Sequence, residues 1–507
     1  MDVRRFVSVG LVLVAVMATA TGTSAGRDRV DPLAEFHTQQ LTWKPCRDGL
    51  ECADLVLPLD YSRPTAEKIS LLISRRRAED QSRRRGVLVL NPGGPGGSGL
   101  GMPTFLANSG VAEVYDLIGF DPRGVGGSTA LTCNTVPSLV VAESRPKDED
   151  FPKWAAEAHA VEQACRRSAG GIRPYVNTPN TARDLDVVRA VLREEKINYL
   201  GYSYGTYLGA VYGSLFPGRL DRSVLDSAVH PEWIWREQFL EQAVAMRRNV
   251  ESWAEWVAQR DDRFRLGVEV EEVMANVEGV AAALAQRPIG EHTRTDFDAA
   301  MGVGARYRPL WSDLADAVAK LRAGSPTDTA LMMARSAQDE LVSGVFNTVT
   351  CEVDWPTDPE TYYEDMRVFR DRYPYGFGVA RAAPTTCAYR TFTPPEPAVR
   401  LKRHGYPVGV VVQAEGDTQT QYESGPALAS ELGHNLITVL DEGRHGIYGT
   451  GNRCVNRAVE RYLISGVLPP SSSTCPGEPR PSEGAAAARL DLRSYLDTLR
   501  VGVRPGS

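Results

Sequence analysis

Three side chains scattered through the sequence, Ser203, Asp417 and His445, could together turn a weak alcohol into a nucleophile. Ser203 is the centre of Gly201-Tyr202-Ser203-Tyr204-Gly205, a G-x-S-x-G string. It lies between the short run Ile197 to Leu200 and an amphipathic run through Tyr207, Leu208, Val211 and Tyr212 that stops at Pro217-Gly218. A strand that turns sharply into a helix strains its central residue; flanking glycines permit the turn, and the hydroxyl is pushed out above the sheet edge. Serine is a poor nucleophile at neutral pH, so it requires a base and an acid that orients the base. The run Val408 to Ala414 ends in Glu415-Gly416-Asp417, which puts the orienting acid, Asp417, in the turn after a late strand. Glu415 is the substitute acid, and Asp226, after Ser223 to Leu225, a more distant one. Asn435 to Leu440 reads as a further strand, and the loop after it supplies the general base His445 in Arg444-His445-Gly446.

An acyl-transfer site also needs donors for a developing oxyanion. The apolar strand Gly86 to Leu90 ends in Asn91-Pro92-Gly93-Gly94-Pro95-Gly96-Gly97-Ser98-Gly99, whose glycines let the main chain approach a substrate carbonyl. The expected donors are the amides of Gly94, or its neighbour, and Tyr204. The same loop formally matches G-x-G-x-x-G, with Asp116 and Asp121 near where a ribose-binding acid would fall, but the Ser-Asp-His set explains these glycines without a cofactor. Taken singly, an Asp after a strand is usually a turn former and a His in a loop a packed or solvated residue. Four features in the required order, each at a strand end, are what carry the assignment.

The elements that must position these groups alternate between strand and helix. Strand signals occur at Leu55 to Leu57, Ile69 to Ile73, Val87 to Leu90, Asp116 to Phe120, Asn198 to Leu200 and Ser223 to Leu225, with a helix over Thr181 to Glu195. This pattern predicts an α/β fold with a mostly parallel sheet flanked by helices. Residues 231–395 change character, with helical periodicity at Phe239 to Val257, Val268 to Ala285 and Leu310 to Leu321, and are expected to form an inserted, mainly helical lid over Ser203. Six tryptophans fall there, and packing of a helical subdomain accounts for them better than a substrate cleft does. Tyr373 to Gly378 reads as a loop with exposed rings. The expected division is a leader over 1–25, core halves over 33–230 and 396–475 around the lid, and a Pro/Ala-rich connector and tail over 476–507.

The order Ser, Asp, His is that of α/β-hydrolases. Together, Asn91 to Gly99, Asp121-Pro122-Arg123-Gly124-Val125-Gly126, Gly201 to Thr206, and a C-terminal stretch with Cys454, Tyr462-Leu463, Gly466 and Leu468-Pro469 resemble the secreted tripeptidyl aminopeptidases of actinomycetes, relatives of the prolyl aminopeptidases. The resemblance implies a serine hydrolase with the α/β-hydrolase fold that releases tripeptides from free N-termini. Where such enzymes usually carry Pro-x-Thr-Pro after the acid and Gly before the base, this chain has Thr418-Gln419-Thr420-Gln421 and Arg444. The alternative reading is therefore an esterase or amidase acting on an acylated small molecule. An aminopeptidase must hold the substrate ammonium; Glu352 and Asp354 are the expected carboxylates, with Glu232 behind them.

Bulk properties fit such an enzyme. The 507 residues and 42% aliphatic and aromatic content allow a sizeable core, and a formal charge of −7 argues against nucleic acid as a partner. Arg4 and Arg5, the apolar stretch Phe6 to Met17 and Thr23-Ser24-Ala25 read as an export signal cleaved near Ala25, so secretion without stable membrane association is expected. The eight cysteines form four sequence-local couples, Cys46 with Cys52, Cys133 with Cys165, Cys351 with Cys387 and Cys454 with Cys475, although eight allow 105 pairings. No Cys-x-x-Cys occurs and the seven histidines lack metal-ligand spacing, so neither metal nor cofactor is expected.

Overall fold

A computed structural model describes residues 32–134, 136, 138, 140, 143–327 and 344–481. The expected leader and the tail beyond residue 481 lie outside the described residues. The strands are β1 (Lys44–Pro45), β2 (Glu51–Pro58), β3 (Lys68–Arg76), β4 (Val87–Asn91), β5 (Asp116–Phe120), β6 (Ile197–Tyr202), β7 (Leu220–Asp226), β8 (Val410–Ala414), β9 (Asn435–Leu440) and β10 (Ser472–Pro476). They form a single sheet in the order β1-β2-β3-β5-β4-β6-β7-β8-β9-β10. The pairs from β1 through β3 to β5 are antiparallel, and every pair from β5 to β10 is parallel.

Parallel strands covered on both faces should be apolar throughout, and β4, β5, β6 and β8 are buried at every position. Alternate residues feed two cores. Val87, Val89, Ile118 and Tyr199 pack on one face beneath α2 (Thr178–Val191) and α3 (Tyr204–Leu215), while Leu88, Leu90, Leu117 and Leu200 face α10 (Arg453–Ser465). β4 lies between β5 and β6, so the chain leaves it to one side and returns on the other. At such a reversal the loops after the two strands part and leave a crevice at the strand ends. The glycine loop follows β4 and Ser203 follows β6, which places both at that crevice.

Between β7 and β8 the chain adds α4 (Arg236–Ala258), α5 (Val270–Gln286), α6 (Arg294–Arg306), α7 (Trp311–Arg322) and α8 (Pro359–Arg372). α4 to α7 share their own core, in which Trp253, Trp256 and Trp311 pack with Phe264, Val277 and Leu314, while Met366 and Phe369 of α8 join a separate cluster with Phe151 and Leu240. The tryptophans there are packing residues, as expected.

Several local readings need correction. α1 (Phe151–Ala169), α6 and α8 are helices without a sequence-predicted counterpart, since alanines in the first two and a high density of charges in the third blur the apolar stripe. Tyr375, expected in an exposed loop, is fully buried and donates its hydroxyl to Glu278 at 2.7 Å. β10, at the expected end of the core, has no counterpart among the strand signals; this polar edge strand is set by pairing with β9 and by Cys475, which is bonded to Cys454. The other pairs are Cys46–Cys52, Cys133–Cys165 and Cys351–Cys387, so all four couples are those expected.

Candidate active site

Ser203 occupies the turn between β6 and α3 at φ 57° and ψ −128°, a conformation that L residues rarely adopt. The turn is held from both sides: the Ser203 amide donates to the Asp226 carbonyl at 3.0 Å, and the Ser203 carbonyl accepts the Thr206 amide at 2.8 Å and its hydroxyl at 2.7 Å. Gly201 and Gly205 are needed because a side chain on Gly201 would run into the Gly205 carbonyl, and one on Gly205 into Asn91.

The glycine loop reaches this turn through Gly93 rather than Gly94. A Cβ on Gly93 would stand 2.8 Å from Ser203 Cβ and 3.1 Å from the Tyr204 nitrogen. The Gly93 amide is already taken by Asn91 Oδ1 at 2.9 Å, so the next amide in the loop is that of Gly94. Among the described residues the Gly94 amide has no hydrogen-bond acceptor, and Tyr204, opening α3, has none within its helix. Ser98 anchors the far side of the loop by donating to Asp121 Oδ1 at 2.5 Å, and Asp121 also accepts the Gly127 amide at 2.8 Å. That use of Asp121, and the mere four-residue helix Met102–Phe105 after the loop, leave nothing of a dinucleotide fingerprint.

Asp417 and His445, distant in sequence, meet: His445 Nδ1 and Asp417 Oδ2 are 2.7 Å apart. Asp417 also accepts the Gln419 amide at 2.9 Å and the Thr420 hydroxyl at 3.0 Å, and Arg306 Nη2 lies 3.6 Å from its other oxygen. Burial works to raise the Asp417 carboxyl, but the His445 ring and then Arg306 outweigh it and hold it below the usual carboxylate range. The rival Glu415 is exposed and accepts the Asp441 amide, away from the imidazole. Asp226 bonds to the main chain after His445 and not to the ring. The acid loop is tied to α4: Gln238 and Gln242 donate to the Gln419 carbonyl at 3.1 and 2.8 Å, and Asn249 to the Gly416 carbonyl at 3.1 Å. Arg444, the unusual neighbour of the base, sends its guanidinium to Glu478 at 2.7 Å.

The two acids expected to hold an ammonium part company. Glu352 is buried and accepts both the amide and the hydroxyl of Thr178 at 2.8 Å, while that hydroxyl is 2.9 Å from the Tyr204 hydroxyl. Burial pushes its pKa up to about 7 against those hydrogen bonds. Asp354 is a correction: its side chain is 95% exposed and pairs with Arg390, because the turn after Cys351 sends the two side chains opposite ways. Glu232 is also exposed. Sequence reasoning missed Arg306, Gln238 and Gln242, whose roles depend on contacts between the insertion and the acid loop. Among the described residues no cluster of His, Cys, Asp or Glu could hold a metal ion.

A sharp strand-to-helix turn at a sheet reversal, with a late acid and base, defines a class, and residues 86–446 match the model of the alpha/beta hydrolase fold family. The chain belongs to that family and is an enzyme of the hydrolase class. It is 34% identical to the tripeptidyl aminopeptidase of Streptomyces lividans over 92% of this chain and 90% of that protein. It is 31% identical to the serine protease Hip1 of Mycobacterium tuberculosis H37Rv, over 86% of this chain and 91% of that one. It is 32% identical to carboxylesterase B of the same strain, over 88% and 91%.

Proposed function

We propose that this protein is an exported serine exopeptidase that releases short peptides, tripeptides foremost, from free N-termini. The observation that carries the reading is the 2.7 Å contact between His445 and Asp417, taken with a serine held at φ 57° in the β6–α3 turn. Asp417 fixes the tautomer of His445 and stabilises its cation; His445 takes the Ser203 proton as the hydroxyl attacks, and the amides of Gly94 and Tyr204 receive the oxyanion. Water then resolves the acyl-enzyme with His445 as base again. Glu352, a buried carboxylate without a cationic partner among the described residues, would be satisfied by the substrate ammonium. The helices from α4 to α8 would act as the lid. Export is supported by the four disulfides, which persist in oxidising compartments. Among the described residues no helix is long and apolar enough to cross a membrane.

Similarity to a carboxylesterase favours a second reading, hydrolysis of an acylated small molecule. One comparison separates them. A chromogenic tripeptide with a free amine should be cleaved and its N-acetylated form should not; cleavage of the acetylated peptide or a simple ester at equal or greater rate would favour the second.

A further inference from the structure

One pair of residues at the end of β7 grips both halves of the candidate catalytic centre. The Asp226 carbonyl accepts the Ser203 amide at 3.0 Å. The Asp226 carboxylate accepts the Ile447 amide at 3.0 and 3.1 Å and the Tyr448 amide at 2.7 Å. Ser227 completes the set: its hydroxyl accepts the Gly446 amide at 2.8 Å and lies 3.1 Å from Asp226 Oδ1. The three consecutive amides that follow His445 are thus all bound by adjacent side chains, and Ser227 holds a left-handed φ of 59° in doing so.

A fully buried carboxylate is a costly way to hold a loop unless its charge is used. Among the described residues no Arg or Lys side chain bonds to Asp226. The groups facing it are Tyr202 from β6, His445 and Tyr448 from the base loop, and Ser227 beside it. Tyr202 adds a second tie, donating to the Tyr448 carbonyl at 2.9 Å. Burial pushes the Asp226 pKa up to about 6, against the pull of the Tyr448 and Ile447 amides. The carboxyl therefore changes charge just below neutrality, where an amide-accepting anion becomes an acid with a proton of its own to donate.

We propose that Asp226 is a positioning residue for the proposed reaction: as an anion it holds residues 446–448 so that His445 stays aligned with Ser203, and on protonation it releases them. The proposal rests on the serine mechanism above. It implies that activity on the acid side is lost with a proton step on Asp226 that disappears when this carboxyl is removed.

The test is the pH profile of kcat for wild type and Asp226→Asn on a free-amine tripeptide substrate, with organophosphonate labelling of Ser203 measured alongside. In wild type the acid limb should include a proton step near pH 6. In Asp226→Asn that step should be absent and the limb shallower by one proton, kcat at pH 7.5 should fall roughly 10- to 100-fold, and KM should stay within about threefold. A variant with wild-type kcat and an unchanged acid limb overturns the proposal. Should the variant not fold, hydrogen exchange in wild type decides: protection of the 447 and 448 amides should drop as pH passes below about 6 while β6 stays protected, and unchanged protection at pH 5 overturns it. A wild type that cleaves substrate while Ser203 resists labelling refutes the serine mechanism, and this proposal with it. Labelled Ser203 with an unaltered Asp226→Asn profile refutes only the role of Asp226.

Discussion

Gly93 stands so close to Ser203 that a methyl group on it would lie 2.8 Å from the serine Cβ and 2.4 Å from the Tyr202 carbonyl. Its φ of 92° adds backbone strain to any side chain. Gly93→Ala should therefore push the loop away from the elbow, lowering turnover by about 100-fold or more and stability by roughly 1–3 kcal/mol. Gly101→Ala, where a Cβ meets nothing within 4 Å at φ −83°, should leave both unchanged. Steady-state kinetics and urea unfolding of the two variants check this.

Ser203→Ala should fold with an unchanged melting temperature and lose about three orders of magnitude or more in turnover, together with organophosphonate labelling. Near-normal hydrolysis by this variant would remove the serine from the mechanism.

Asp417→Asn should keep a folded enzyme but leave His445 in the wrong tautomer, lowering kcat by roughly three to four orders of magnitude. Glu415→Gln, altering an exposed side chain directed at the Asp441 amide, should stay within about twofold of wild type. Equal loss in both variants would contradict the choice of acid.

Glu352 links stability to pH. Its pKa rises from 4.5 in the unfolded chain to about 7 in the fold, so between those values the folded state binds a proton that the unfolded state lacks. Its contribution is then fully present below pH 4.5 and is lost as pH rises through about 7, on the order of 3 kcal/mol in all. Glu352→Gln should flatten unfolding free energy against pH across this window. If the carboxylate also meets the substrate ammonium, KM for free-amine peptides should rise about tenfold or more in the variant. Chemical denaturation at pH 5 and pH 8, with KM measured at pH 8, reports both effects.

The parts of the site legible in the sequence were those set by local turn chemistry. The glycines around Ser203, and the Asp and His placed just past apolar strand runs, announce themselves because each sits at the end of its own element. β9 coincides with the expected Asn435 to Leu440, since its neighbours cover it and its residues are β-formers. What stayed hidden depends on partners remote in the chain. Nothing near Arg306 in sequence says that it approaches Asp417, and Glu352 and Asp354 look alike until folding buries one and exposes the other. The polar β10 becomes a strand only because β9 and the Cys454 bond hold it.

The ties from Gln238, Gln242 and Asn249 to the main chain around Asp417 bear on how substrates get in. An insertion tied to the main chain on both sides of Asp417 cannot swing away as a unit without disturbing the carboxylate that meets the His445 ring. If the insertion covers Ser203 as proposed, these ties would make it a fixed cover and not a hinged one.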